Sequence, residues 1–202
     1  MARTDVQLML DVKAGDEASF DFLLRKYRSP LVNFLCRMVR DQATAEDLAQ
    51  EVFLRVYRAR HKYNPSAKFT TWLFRIATNL ALNSIRDRRY QKLEFSIDAP
   101  ADEEDSTPRE LPARDMRIDE HMIERDRAQF IQRAISSLPE KQRVAVLLHK
   151  YEEMDYTEIA GILECSESAL KSSLFRAYET LRVQLAPLVA QSQVRRGEGR
   201  PS

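Results

Sequence analysis

Residues 156–182 read YTEIAGILECSESALKSSLFRAYETLR, and this stretch decides the fold class of the chain. Its apolar residues form two successive series at helical spacing, a short one and a longer one. The series are Ile159, Ala160 and Leu163, then Leu170, Leu174, Ala177 and Leu181. Between them, Ser166 is a suitable N-cap, and Glu167 lies near the positive end of the following helix dipole. The stretch therefore predicts a helix-turn-helix, whose second helix enters the major groove of DNA.

Four polar side chains occupy the outward positions of that second helix. They are Lys171, Ser172, Ser173 and Arg176. Lysine and arginine donate hydrogen bonds to guanine edges and to phosphates, and serine can contact either. We interpret this face as a reader of duplex DNA. A plain helical hairpin with a solvated outer face is the alternative for the segment taken alone.

The rest of the chain repeats the helical pattern and shows no strand-like alternation. Apolar residues recur every three or four positions in four upstream stretches. These stretches predict four helices, over 5–14, from 17 onward with an interruption at Pro30, over 45–60, and over 70–89. A capped turn is expected at 41–44, before the third of them. Glycine is scarce, with 4 residues in 202, which is typical of a helical protein with few tight turns. The expected fold is all-α, with two small helical domains.

Charge divides the chain into parts with different character. Residues 1–90 hold 16 basic and 10 acidic side chains, residues 91–120 hold 4 and 10, and residues 121–202 hold 12 and 11. The middle segment also carries three prolines and the run 102–105, DEED. We therefore expect a domain over 1–92, an acidic flexible linker over 93–116, a helix-turn-helix domain over 117–190 and a disordered basic tail over 191–202.

Two polar faces of the first domain are candidate binding sites. Asp47, Gln50 and Glu51 share one helix face, and their acidic character suits a basic protein surface better than nucleic acid. Taken alone, such a patch is usually only a solvated face.

On the next helix, Asn79, Asn83 and Arg86 stand three and four residues apart, with further arginines nearby. Tyr63, in the preceding loop, could stack on an unpaired base, whereas Trp72 lies at core spacing with Ile76. Amides, basic groups and a stacking ring are what single-stranded DNA binding requires.

The sequence offers little to catalysis, metals or membranes. The three histidines are scattered, and no glycine-rich phosphate loop is present, so an enzyme is not expected and no cofactor or metal is implied. No CxxC pair occurs, and we expect Cys36 and Cys165 to be buried or half-buried thiols, with redox sensing as the alternative. No secretory signal or membrane-spanning run is visible, so we expect a cytoplasmic protein.

These motifs, in this order, resemble extracytoplasmic-function sigma factors, a subfamily of the sigma-70 family. The resemblance covers about residues 5–190. It rests on Gly15-Asp16 before Phe20, on the stretches 46–53 (EDLAQEVF) and 69–79 (FTTWLFRIATN), on Leu138-Pro139, and on the helix-turn-helix.

The resemblance implies an alternative sigma factor that binds core RNA polymerase and directs initiation at specific promoters. Asp47, Gln50 and Glu51 match the face that docks on the beta-prime clamp helices. Other implied partners are the beta flap, promoter DNA both double-stranded and melted, and an anti-sigma factor. No insertion of the chain itself into a membrane is implied.

The same resemblance gives roles to the DNA-binding candidates. Tyr63 and Asn79 match positions that capture a flipped base of the minus-ten element, and the recognition helix would read the minus-thirty-five element. This chain has Ser173 where family members often carry a second basic residue, and Ala169 where they often carry threonine. These two departures bear on the preference for the minus-thirty-five element. The alternative function is a helix-turn-helix regulator that binds duplex DNA without joining polymerase, which leaves the first domain's faces without a purpose.

Overall fold

The computed structural model describes residues 3–96 and 116–197, and this part of the chain is helical throughout, with short turns between the helices. The bounds are α1 Asp5–Lys13, α2 Glu17–Val39, α3 Gln42–Arg58, α4 Phe69–Ser96, α5 Met116–Ser137, α6 Glu140–Tyr151, α7 Tyr156–Leu163 and α8 Glu167–Gly197. A 3-10 turn, Arg60–Lys62, joins α3 to the loop before α4. The all-α prediction is confirmed.

Side-chain caps explain where the early helices begin. Asp16 accepts a hydrogen bond from the backbone N–H of Ala18 at 3.0 Å, and Asp41 accepts one from Thr44 at 2.7 Å. Such caps satisfy N–H groups that have no partner inside the helix. Gly15 adopts a positive φ of 105° between α1 and α2, a conformation that glycine tolerates best. The break predicted at Gly15-Asp16 and the cap predicted near residue 41 are therefore confirmed.

Several predicted boundaries differ from the structure. Helix α2 continues through Pro30, because the apolar residues on both sides of the proline are buried on one face and hold the helix together. Helix α3 begins at Gln42, three residues earlier than expected, and α4 runs to Ser96. Residues 191–197, expected in a disordered tail, belong to α8. The acidic run 102–105 and residues 198–202 lie outside the described residues.

Helices α1 to α4 enclose the core of the first domain. Aromatic pairs lie at its centre, with Phe34 and Phe74 meeting edge to face at 5.3 Å between ring centroids and Tyr27 and Phe69 at 5.4 Å. Leu31, Leu35, Val52, Val56, Leu73 and Ala77 are also fully buried. Burying a large apolar side chain stabilises the fold by about 1.5–3 kcal/mol. This core fixes which faces of α3 and α4 remain open.

Helices α5 to α8 form the second domain, with the helix-turn-helix at α7 and α8. Asp155 caps α7 and forms a reciprocal capping box with Glu158. Glu164 ends α7 in the left-handed conformation, and Ser166 accepts from the N–H of Ala169 to cap α8. The two apolar series predicted from the sequence face each other, with Ile159, Leu170, Leu174 and Ala177 buried at 2% exposure or less. The predicted helix-turn-helix packing is confirmed.

The two domains contact each other at α2 with α5 and α6, and at α4 with α7. In the first contact, Arg143 Nη1 donates to the Met38 carbonyl at 3.2 Å, and the Arg37 guanidinium lies 4.1 Å from the centre of the Tyr151 ring. Burial in this contact raises the pKa of Glu152 to about 7, although the positive charge of Arg37 acts in the opposite direction.

Candidate nucleic-acid and protein interfaces

Helix α3 presents the acidic and amide residues predicted from the sequence on one surface. Asp47 and Gln50 are exposed, and Glu51 is half-buried. The Glu51 carboxylate accepts from Nε of Arg55 at 2.7 Å, one turn along the helix, so a protein bound at this face must share or replace that ion pair. The structure therefore brings all three predicted residues together.

Sequence reasoning missed an apolar component of the same surface. Leu54 is 49% exposed and lies four residues after Gln50, on the same side of α3. Beside it, a groove of about 650 Å³ runs between α2 and α3. Its apolar lining includes Phe20, Leu24, Val32, Phe53 and Tyr57, and its charged lining is formed by Glu17, Asp21, Glu46 and Arg28. An exposed leucine within a polar series was the available sequence signal for this groove.

Helix α4 carries the second predicted face. Asn79, Asn83 and Arg86 are exposed, and Arg86 Nη2 donates to Asn83 Oδ1 at 3.0 Å. Asn79 has no hydrogen-bond partner among the described residues, so its amide is free to bind a ligand. Arg88, one of the further arginines near this face, is instead half-buried and donates to the Val39 carbonyl at 3.4 Å. The exposed part of this face therefore includes two amides and the guanidinium of Arg86, and Arg75 is exposed one turn before Asn79.

Tyr63 differs from its predicted placement. Its side chain is 3% exposed, its ring lies 5.2 Å from the Trp72 ring, and its hydroxyl oxygen is buried without a partner. Burial raises the pKa of this phenol, since it disfavours the charged form. Lys13 holds the adjacent backbone by donating to the Tyr63 carbonyl at 3.0 Å. The expectation of an exposed stacking ring is wrong for this conformation, in which Tyr63 supports the loop before α4 from within the core.

The third face lies near the start of α8. Lys171, Ser172 and Arg176 are exposed, whereas Ser173 is half-buried and turns partly toward the domain core. Phe175, which sequence reasoning missed, is 69% exposed and lines a shallow pocket with the three exposed residues. Because Leu174 points inward, the helical period places Phe175 on the outer surface, and this was the sequence signal that could have identified it.

An aromatic cluster supports that face from behind. His149 Nδ1 lies 2.7 Å from the Tyr178 hydroxyl, and the Tyr156 ring stacks on the imidazole at 5.3 Å. These residues belong to α6, α7 and α8, so the cluster joins three helices. Lys171 Nζ lies 5.8 Å from the centre of the Tyr156 ring, which places the lysine beside the cluster. Burial also raises the pKa of Tyr178.

Other candidate chemistry is sparse in the described residues. Within 3–96 and 116–197, His, Cys, Asp and Glu side chains form no group of three that could hold a metal ion. Cys36 is half-buried, as expected, but Cys165 is exposed in the turn between α7 and α8, contrary to the prediction. Among the described helices, none is both long and apolar enough to cross a bilayer.

Comparison with known proteins places both domains. Residues 23–90 match the model of sigma-70 region 2, and residues 129–181 match the model of sigma-70 region 4. The chain is 32% identical to the RNA polymerase sigma-H factor of Pseudomonas aeruginosa over 93% of its own length and 97% of that protein's. It is 30% identical to the ECF RNA polymerase sigma-E factor of Escherichia coli K12, over 92% and 96%.

A solved structure shows the same fold. It is the sigma factor RpoE of Bartonella quintana in complex with the anti-sigma factor NepR, with a TM-score of 0.62 and 22% identity over 83% of this chain and 96% of that one. The fold agrees across both helical domains, and the full-length similarity to the two curated relatives gives the family. The chain belongs to the extracytoplasmic-function subfamily of the sigma-70 family of RNA polymerase sigma factors.

Proposed function

We propose that this alternative sigma factor, which directs transcription initiation, divides its work among three surfaces. The α3 face binds core RNA polymerase, the α4 face binds the melted strand of the minus-ten element, and the α8 face reads the minus-thirty-five duplex. One observation carries the proposal: two exposed faces suited to nucleic acid lie in different domains, as a two-part promoter requires. A regulator that binds duplex DNA alone has no use for the first of them.

The α3 face suits a protein partner with basic and apolar side chains. Asp47, Gln50 and Glu51 supply acceptors, and Leu54 with the adjoining groove supplies apolar area. A central apolar contact with a polar surround is the usual anatomy of a protein interface. The helical clamp of the beta-prime subunit is the partner that the family resemblance indicates for this face.

The α4 face suits unpaired bases. Asparagine amides can donate to and accept from base edges, and Arg86 can contact the phosphate backbone. Extruding a base from the duplex costs a few kcal/mol, and contacts to the flipped base must offset this cost. Asn79 is the best-placed residue for such a contact, because its amide is exposed and has no partner within the described chain.

The α8 face suits duplex DNA. Lys171 and Arg176 can donate to guanine edges or phosphates, and Ser172 can contact either. Ser173 contributes less than we expected from the sequence, since it is half-buried. Phe175 adds an apolar surface that can pack on the methyl group of a thymine in the major groove.

Phe175→Ala is expected to weaken binding to a minus-thirty-five duplex about five- to tenfold, or ~1 kcal/mol, within the range for a single base contact. The dependence of duplex binding on salt concentration should not change, because no phosphate contact is removed. The measurement is fluorescence anisotropy with a labelled promoter duplex. Val183→Ala is the matched control, since Val183 is an exposed apolar residue of α8 at 71% and lies two turns away. Equal affinities for the two variants would contradict the role of Phe175.

Regulation by a protein partner fits the same chain. The Bartonella quintana RpoE was solved with an anti-sigma factor, and a helical protein with an open apolar groove offers a comparable target. We therefore include an anti-sigma factor among the proposed partners. The proposed place of action is the cytoplasm, where core polymerase and promoter DNA meet.

The test of this function is a run-off transcription assay. Purified bacterial core polymerase is incubated with genomic promoter fragments, with and without this protein. Discrete transcripts that appear only when the protein is added support the proposal and identify its promoters. Binding to duplex DNA without binding to core polymerase, and without new transcripts, would instead favour the simple helix-turn-helix regulator.

A further inference from the structure

Tyr90, near the end of α4, is an aromatic side chain that projects into solvent. It is 61% exposed, and within the described part of the chain its ring contacts no other ring or cation and its hydroxyl forms no hydrogen bond. Two other exposed tyrosines do have partners, since Tyr151 packs on Arg37 and Tyr156 on His149. A single exposed ring is common on protein surfaces. The position of Tyr90 on the helix therefore has to show whether it has a ligand.

The helical period places Tyr90 on the α4 face. At about 100° per residue, it lies about 20° around the helix axis from Asn79 and from Asn83. Arg86, one turn before it, lies about 40° away. All four side chains are exposed. The face therefore continues past Arg86 as a narrow stripe of two amides, a guanidinium and an aromatic ring.

Tyr90 lies too far along the helix to contact the base that Asn79 binds. The two residues are eleven positions apart in the sequence. At ~1.5 Å per residue, this separates them by ~16 Å along the axis. Stacked bases follow each other at ~3.4 Å, so the interval is on the order of five stacked nucleotides. A strand that follows the stripe therefore brings a second, separate base to the ring.

The charges beside Tyr90 suit a phosphate backbone. Arg86 and Arg89 are both exposed, and Arg86 bonds to Asn83, on the same stripe. Asp87 is also exposed but lies about 60° around the helix from Tyr90. An aromatic ring beside cations that hold the backbone is the usual composition of a single-strand binding site. The amides and cations of this stripe favour nucleic acid over the basic protein partner proposed for α3.

We propose that Tyr90 is a base-stacking residue of the α4 face, which holds a second unpaired base of the strand that Asn79 contacts. The inference rests on the proposed role of that face. Asn79 selects one base through its amide, which can both donate and accept. Tyr90 adds affinity at another position with little preference among bases, because every base presents a π-face.

The test uses the full chain bound to core polymerase, with the non-template strand of a promoter found by run-off transcription. The strand carries 2-aminopurine at each position in turn, because stacking on a ring quenches the fluorescence of this base. Tyr90→Ala is expected to weaken strand binding about tenfold, within the range for one base–aromatic stack. Fluorescence should rise at one position, which differs from the position affected by Asn79→Ala. Tyr90→Phe keeps the ring and should bind within about twofold of the unchanged protein.

Phe22→Ala is the matched control, because Phe22 is an aromatic residue of α2 that is 56% exposed and lies outside the α4 face. Unchanged strand affinity in Tyr90→Ala, while Asn79→Ala lowers it, would overturn the inference and leave the proposed role of the face intact. A loss in Tyr90→Phe as large as that in Tyr90→Ala would also contradict stacking.

Two further outcomes have different meanings. If Tyr90→Ala lowers the affinity for core polymerase and leaves strand binding unaltered, the ring packs on protein and the inference is wrong. If neither Asn79→Ala nor Tyr90→Ala alters strand binding, the α4 face itself is refuted, and the role of Tyr90 is refuted with it.

Discussion

Asn79→Ala is expected to slow the formation of the open promoter complex about 10- to 100-fold while leaving the affinity for core polymerase unchanged. The side chain is exposed on α4 and has no partner among the described residues, so its removal costs the folded protein little. In the open complex, loss of its contacts leaves the flipped base poorly bound. A lost contact worth ~1.5–3 kcal/mol corresponds to the expected range, at ~1.4 kcal/mol per factor of ten.

Permanganate footprinting of melted thymines measures the open complex, and native gel electrophoresis with core polymerase measures assembly. Asn33→Ala provides the control, since Asn33 is an exposed asparagine on α2, outside the α4 face. A promoter supplied with a preformed bubble should recover part of the loss, because the cost of separating the strands has been removed. Equal losses in core binding and in melting would refute the assignment of Asn79.

Local sequence patterns predicted most of the helices and the placement of the α3 and α8 faces. The capped turn at 41–44 and the cap at Ser166 were recognisable, because a side-chain oxygen just before an apolar series satisfies the first N–H groups of a helix. At Gly15-Asp16 only a break was predicted, and the cap formed by Asp16 was not. Asp47, Gln50 and Glu51 were found together because the helical period alone places them on one side of α3. These features depend on neighbours in the sequence.

The features that could not be predicted depend on distant segments. Tyr63 is buried because Trp72 packs on its ring and Lys13, fifty residues earlier, binds its carbonyl. Helix α2 passes through Pro30 because other helices cover its apolar face on both sides of the proline. The contact of Arg75 with Glu164 joins residues 89 positions apart, and no local pattern indicates it.

The long-range contacts also place charged residues of the first domain in different environments on α3 and α4. Two basic residues at the start of α4, Lys68 and Arg75, form ion pairs with Glu158 and Glu164 of the second domain. At α3 the same domain presents acids and an amide, with Asp47 and Gln50 exposed. The start of α4 is thus in contact with the second domain, whereas Asp47 and Gln50 on α3 are exposed.

The pair Gln50→Ala and Glu51→Ala is expected to weaken binding to core polymerase about 10- to 100-fold. Truncating residues at the centre of an interface typically costs ~1–2 kcal/mol each, and two neighbours on one face contribute together. The fold should persist, because Gln50 is exposed and Glu51 bonds only to Arg55 within its own helix. Loss of that exposed ion pair changes the free energy of unfolding by about 0.3–0.5 kcal/mol.

Surface plasmon resonance with immobilised core polymerase measures this loss, and thermal melting verifies the fold. The matched control replaces Gln129 and Glu179 with alanine, which removes the same two side-chain types from exposed positions of the second domain. Binding of the isolated protein to a minus-thirty-five duplex should stay intact in the α3 variant, since α8 is unchanged. If the α3 pair and the control pair bind core polymerase equally well, the acidic face is only a solvated surface, and the neighbouring groove with Leu54 becomes the next candidate for docking.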